Sequence, residues 1–242
     1  MIRTAGLIVI GNEILSGKIQ DQNSFFLATE LRALGVSLMR IAVIPDDLNA
    51  ISREARKFSE AYDLVFTTGG VGPTHDDVTM EGIARGFSVM LVRNPMLEKK
   101  FVERYGAAAN EAVMKMAEVP EGSEVVEFAT NNFPLVVFRN IYIFPGIPRY
   151  LQEKFNLIKE RFRTSDFYLK KVYLRAMESD IAATLTTVVG RNDCVTFGSY
   201  PILGNPEYQI ILTVESKLKP DLEKALEELL AQIPKGILVR VE

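Results

Sequence analysis

The chain is short of the residues that most often carry covalent or metal chemistry: one cysteine, one histidine and no tryptophan among 242 residues. A single thiol, Cys194, excludes an internal disulfide framework and any multi-cysteine zinc site. One histidine, His75, excludes two-histidine metal motifs and leaves at most one imidazole for proton transfer. No stretch reaches the ~18–20 apolar residues of a membrane span. The apolar run near the N-terminus leads into Gly11–Asn12–Glu13 rather than a small-residue cleavage site, so it reads as a buried strand and the protein as cytoplasmic. A net charge of −3 supplies no general attraction for nucleic acid. What remains for chemistry is carboxylates, hydroxyls, backbone amides and whatever cofactor or metal they recruit.

The apolar fraction of 48% is that of a folded globular chain. Its pattern alternates strand and helix. Gly6–Ile10 is a continuous apolar run, expected of a strand buried on both faces. Phe25, Ala28, Leu31 and Leu34 recur at helical spacing, and Gly35 stops that helix. Leu38–Ile44 reads as the next strand, Ile51, Ala55 and Phe58 as one face of a helix, and Asp63–Thr68 as a third strand. This order predicts a mostly parallel sheet covered on both sides, a three-layer α/β/α domain.

The pattern is less clean from Val78 on. A helix over Val78–Arg85, a strand over Ser88–Val92 and helical periodicity between Pro95 and Ala117 are expected. Leu135–Phe138 and Ile141–Phe144 form a hairpin around Arg139–Asn140, and a helix runs over Arg149–Arg163. Beyond Thr164–Ser165–Asp166 the order becomes strand, helix, strand, strand, helix, strand, ending at Val241. That is a small α+β ferredoxin-like unit. The expected division is therefore 1–163 and 167–242.

The densest signal is Thr67–Thr79, TTGGVGPTHDDVT, where three glycines follow a buried strand and a helix begins near Val78. Open α/β sheets hold their ligands beyond the carboxyl ends of strands. Glycines there let backbone N–H groups cradle an anion, aided by the following helix N-terminus. A plain turn with Asp77 as helix cap is the competing reading, but a cap needs one Asp and explains neither Asp76 nor three glycines and a proline in five residues. Gly11–Ser24, GNEILSGKIQDQNS, offers Glu13, Ser16, Asp21 and Asn23 at the same edge; it is equally readable as a solvated loop whose Asp21 or Asn23 caps the next helix. It is not a P-loop, because the spacing is one residue too long and Ile19 stands where a magnesium-binding hydroxyl is needed. Pro45–Asp46–Asp47 reaches the edge from the second strand, with Asp46 as helix cap the alternative. Glu13, Asp46 and Asp76–Asp77 would thus crowd beside a phosphate cradle. Such carboxylates repel a phosphate unless a divalent cation bridges them. The residues point to metal-assisted chemistry on a nucleotide-like phosphate, with His75 as a supporting contact and Cys194 as a buried, inert thiol.

TTGGVGPTHDDVT, GNEILSGKIQDQNS, IPDD, FFLATELRALGV and FPGIP together resemble the molybdopterin-binding (MoaB/Mog-like) superfamily. They are most similar to the N-terminal domain of competence/damage-inducible protein A (CinA) and the molybdopterin-binding-like domain of FAD synthase, over about residues 4–160. The resemblance implies catalytic roles for Asp46 and Asp77, a phosphate loop at Gly69, Gly70 and Gly72, and a polar pocket rim at Ser16, Asp21 and Asn23. The carboxylate rim itself offers Asp76, Asp77 and Glu13 as metal ligands, with Asp46 beside them, and Thr74, His75 and Gly146 are further expected phosphate or nucleotide contacts. Asn12 departs from the aspartate of many members and weakens a ligand role at that position. The implied activity is hydrolysis of a nucleotide pyrophosphate such as ADP-ribose or FAD with magnesium, manganese or cobalt, and with potassium as a further ion. Molybdopterin binding or adenylylation, or nucleotide sensing without turnover, are the alternatives. The expected partners are a small nucleotide or pterin phosphate and further copies of the chain, a dimer before a trimer. The stretch after Arg163 is too short for the deamidase domain of CinA proteins or the adenylylating domain of FAD synthase.

Overall fold

The computed structural model describes residues 3–128 and 133–242. The chain divides into two compact units, Met1–Thr164 and Ser165–Glu242. In the first, the elements run β1 (Thr4–Ile10), α1 (Asn12–Leu15), α2 (Asn23–Ala33), β2 (Ser37–Ile44), α3 (Leu48–Ala61) and β3 (Leu64–Thr68). They continue through α4 (Thr79–Gly86), β4 (Leu91–Arg93), α5 (Pro95–Tyr105), α6 (Glu111–Lys115), β5 (Glu118–Pro120), β6 (Glu124–Val126), β7 (Leu135–Phe138), β8 (Ile141–Phe144) and α7 (Pro148–Ile158).

Six strands form one sheet in the order β2-β1-β3-β8-β7-β6. The first four are parallel; β7 pairs antiparallel with β8, and β6 antiparallel with β7, so that only β7 runs against the others. The reversal follows from the hairpin at Arg139–Asn140, whose two-residue turn puts Arg139 at φ 55°. Asn140 anchors that turn by donating to the carbonyls of Ser59 (3.1 Å) and Tyr62 (2.8 Å) at the end of α3. The two faces of β1 divide the core. Ile8 and Ile10 pack with Ile51, Phe58 and Ile83 under α3 and α4, whereas Leu7 and Val9 pack with Leu27, Leu31 and Phe155 under α2 and α7. The mostly parallel, three-layer reading is what is found.

Local differences have physical causes. The stretch read as a polar loop begins with the four-residue helix α1. On α2 the buried residues are Asn23, Leu27 and Leu31, and Phe25 faces solvent at 79% exposure. The hydrogen bonds of Asn23 described below fix that rotation, and the i, i+4 spacing carries Leu27 and Leu31 inward with it. The helical stretch after Pro95 breaks into α5 and α6, with a 3₁₀ turn at Gly106–Ala108 between them. The strand placed at Ser88–Val92 is Leu91–Arg93, because Ser88 sits in a turn at φ 55°; it pairs with β5, which the sequence pattern did not reveal.

The second unit comprises β9 (Tyr168–Leu174), α8 (Glu178–Val189), β10 (Thr196–Pro201), β11 (Ile210–Ser216), α9 (Lys219–Gln232) and β12 (Leu238–Val241). Its antiparallel sheet has the order β10-β11-β9-β12, the ferredoxin-like arrangement. Val172, Leu212 and Val214 pack beneath Ile181, Leu222 and Leu229 of the two helices. Cys194 corrects the expectation of a buried thiol: it lies in the turn before β10 and is exposed, and Val195 takes the inward place.

Candidate functional site

β1, β2, β3 and β8 all end at one edge of the sheet, and the segments that leave β1, β3 and β8, with α5 and the entry to β7, line a cavity of about 640 Å³. That volume is within the ~300–1,000 Å³ usual for small-molecule sites. Its wall includes Glu13, Asp21, Asn23, Gly69, Gly70, Gly72, Asp77 and Gly146. No described helix is long and apolar enough to cross a membrane.

Backbone angle and close packing together reserve two positions of the loop for glycine. Gly69 has φ 103° and Gly70 φ 62°. A Cβ on Gly69 would come within 2.0 Å of the Ile10 carbonyl oxygen, and one on Gly70 within 2.4 Å of the Thr79 hydroxyl. Thr79, fully buried at the start of α4, locks the loop by donating its hydroxyl to Gly69 O (2.8 Å) and its N–H to Gly70 O (3.0 Å). Asn23 ties three segments together: its amide nitrogen donates to Thr68 Oγ1 (2.8 Å) and to the carbonyl of Gly146 (2.7 Å), and Thr68 Oγ1 donates to Pro145 O (3.0 Å).

Helix capping falls to other residues than the sequence suggested. Asp47 caps α3 by accepting from Ala50 N (2.8 Å). Asp46 is thereby spared and instead accepts from Asn12 N (2.7 Å), beside Gly70. Val78 precedes α4 without a side-chain cap. Asp77 closes its own loop, taking bonds from the backbone N–H (2.8 Å) and the hydroxyl of Thr74. Asp21 accepts from the backbone and hydroxyl of Ser24 at the start of α2.

Not every residue singled out from the sequence lines the cavity. Asp46, Asp76, Thr74, His75 and Ser16 do not. His75 is directed outward with its side chain 97% exposed, 3.8 Å from Asp76. Ser16 bonds back to Glu13 O (3.3 Å) on the surface of α1. Among the described residues, no three His, Cys, Asp or Glu side chains converge as a metal cage. Glu13 and Asp77 do share the cavity wall. Two carboxylates suit a magnesium-like ion that keeps waters and takes its remaining ligands from a substrate phosphate.

Sequence reasoning missed four contributors. Lys115 of α6 donates to Thr74 O (2.8 Å) and so braces the acidic loop. Arg104, Tyr105 and Lys154 line the cavity from α5 and α7. Their spacing marked them only as parts of helices; nothing in the local pattern shows that they reach this part of the molecule.

This fold, with a glycine loop and acids at the carboxyl edge of its sheet, defines a class that the comparisons identify. Residues 6–164 match the family described as "Probable molybdopterin binding domain", and the chain belongs to that family. Residues 166–242 match the "FAD synthase, middle domain" family. A protein of Archaeoglobus fulgidus is 38% identical over 92% of this chain and 94% of its own length. The "Probable FAD synthase" of Caenorhabditis briggsae is 33% identical over 94% of this chain, which spans 50% of that relative's length. The crystal structure of CinA from Thermoplasma acidophilum, whose function is given as unknown, superposes with TM-score 0.61 at 29% identity. The match covers 66% of this chain and 98% of that one.

Proposed function

We propose that the edge cavity is the site of a metal-assisted nucleotide pyrophosphatase, acting on a dinucleotide such as FAD or ADP-ribose. The observation that carries this reading is that Glu13, Asp77 and the Gly69–Gly72 loop line one cavity. Gly69 and Gly70 allow the positive-φ turn and the close packing on Ile10 and Thr79 that shape the loop, and the N-terminus of α4 behind them favours negative charge. Asp77 is pre-oriented by its two bonds from Thr74, so its position does not have to be set when the ligand arrives. Asp46 accepts from Asn12 N beside Gly70 and lies off the cavity wall, so in this reading it steadies the glycine-loop side of the site rather than touching the attacking water. Water adds to one phosphorus, the bridging P–O bond breaks, and AMP leaves with the second phosphate product. A divalent ion held by Glu13 and Asp77 would supply charge neutralisation of the diphosphate.

Incubation with FAD or ADP-ribose and Mg²⁺, Mn²⁺ or Co²⁺, with and without K⁺, tests this by following AMP. Asp77→Asn should lower the rate by about 10²–10³, the scale of losing one charge-stabilising contact. Absence of AMP with every ion would sink the reading. The family match favours a second reading, molybdopterin binding or adenylylation at the same rim. Calorimetry with molybdopterin against ADP-ribose separates the two, and tight nucleotide binding without product would mark a sensor.

A further inference from the structure

The turn that presents Asp77 has little packing of its own. Pro73, Thr74, His75 and Asp76 are exposed, and the turn closes on itself. Thr74 donates its N–H (2.8 Å) and its hydroxyl to Asp77 Oδ2, and Asp77 N donates back to Thr74 O (3.3 Å). Such a ring fixes Asp77 relative to Thr74 but not relative to the rest of the unit. Among the described residues, one hydrogen bond reaches this turn from another element, the 2.8 Å bond from Lys115 Nζ to Thr74 O. The other end of that bond is firm. Val113 and Met114 of α6 are buried in the core, Asn110 caps the helix by accepting from Val113 N (3.1 Å), and the chain continues into β5, paired with β4. Lys115 approaches from behind the glycine loop. It lines a small cleft of about 50 Å³ and is absent from the wall of the large cavity, whereas Gly70, Gly72 and Asp77 line both. Glu81 and Glu118 share that cleft, yet the described partner of Lys115 is a carbonyl, so its place is set by the turn. Gly72 completes the seat, because a Cβ there would meet Asp77 Oδ2 at 2.7 Å.

We propose that Lys115 is a positioning residue of the edge cavity: by holding the Thr74 carbonyl from behind the loop, it sets where the Asp77 carboxylate stands, without touching the ligand. Both bonds from Thr74 fall on Oδ2, so the second oxygen of Asp77 is the one presented to the cavity, and its place depends on where the turn is held. A hydrogen bond from a charged donor is among the stronger tethers available to an exposed turn. A shift of about 1 Å in a group that acts on the reacting atoms is enough to cost a large part of a rate. The effect on rate rests on the nucleotide reading of the cavity; the effect on the turn does not.

Lys115→Met keeps the apolar stem and removes the donor, and Lys115→Arg keeps a charged donor. In the full chain, hydrogen exchange at the Thr74 and Asp77 amides should speed up about tenfold in Lys115→Met, the scale of one lost bond to a charged donor. The core amides of β1 and β3 should keep the parent rate, and Lys115→Arg should restore the turn. The change should persist in high salt, where a bare charge effect on the neighbouring acids would fade. With FAD or ADP-ribose and a divalent ion, Lys115→Met should lower kcat about tenfold and leave KM within about twofold. In an Asp77→Asn background the same substitution should change kcat less than about twofold, because its route to the reaction is gone. The proposal is overturned if the two amides exchange at the parent rate, if the core amides speed up by the same factor, or if the losses from Lys115→Met and Asp77→Asn multiply. Absence of AMP from the parent, together with faster exchange confined to the turn, would instead remove the hydrolase reading and leave the positioning of Asp77 standing.

Discussion

The two units are assembled from the same ingredients, strands crossed by helices, and both carry surface ion pairs and some buried polar groups, but the first gathers its buried polar groups around a cavity. In the second unit the charges satisfy one another at the surface. Arg240 meets Glu207 at 2.7 Å and Glu242 at 2.8 Å while lying 4.0 Å over Tyr173, and Arg191 meets Glu228 at 3.0 Å. In the first unit polar groups are drawn inward at the sheet edge. Asn23, Thr68 and Thr79 are buried there, and Glu13 and Asp77 face a cavity rather than an arginine. Parallel strands bring several carboxyl ends to one edge, whereas antiparallel neighbours alternate their ends. The glycines and buried hydrogen bonds are what keep that edge open.

A matched pair of glycine substitutions probes this contrast most strongly. Gly69 and Gly204 both have positive φ, but Gly204, in the second unit, has nothing within 4 Å of a would-be Cβ. Gly204→Ala should cost about 1 kcal/mol, the conformational penalty alone. Gly69→Ala adds overlap with a backbone carbonyl and should cost more than about 3 kcal/mol and abolish nucleotide binding, as read by denaturant titration and calorimetry. Equal losses would mean the loop yields as readily as an open turn.

The next effect is pH-dependent. Burial lowers the Lys154 amine from 10.5 to about 8, so between these values the unfolded chain binds more protons than the folded one and stability rises with pH. Below about pH 8 the full penalty of charging it, about 3 kcal/mol, is in force. The stability difference between parent and Lys154→Met should therefore change across pH 8–10.5 and be flat below it, measured by urea unfolding at each pH. A smaller loss, about 1–3 kcal/mol, is expected for Asn23→Ala, which strips the donor from Gly146 O and breaks the tie to Thr68. Thermal unfolding measures it. Arg240→Gln should move the unfolding midpoint least, and less still in high salt, because exposed ion pairs are screened.

Much of the site could be read from TTGGVGPTHDDVT, since a buried strand followed by glycines and then a helix fixes where a ligand crevice falls. The roles of individual acids could not. Asp46 and Asp47 are chemically alike, and only the entry geometry of α3 decides which one caps it and which one turns toward Gly70. Phe25 reads as a core residue by spacing, but two hydrogen bonds from Asn23 rotate α2 and turn Phe25 outward. The aromatic part of the cavity wall, where Phe101 and Tyr105 of α5 pack against Phe133, was illegible because it depends on the direction of β7, which brings α5 and the β7 entry together across a long stretch of chain.

β2 lies at the edge of the six-stranded sheet, and among its eight residues, SLMRIAVI, Arg40 is the single charge. Met39, Ile41 and Val43 are exposed along one side, and Arg40 lies on the other, 5.2 Å over Phe58 and 3.9 Å from Glu54. An edge strand offers its backbone to any other strand, and a charge in its middle is the usual guard against stray pairing. Arg40 therefore does for colloidal behaviour what no residue of the cavity does. Without it, β2 would be an uninterrupted aggregation-prone segment, and Arg40→Val should lower the concentration at which the protein stays dispersed in light scattering.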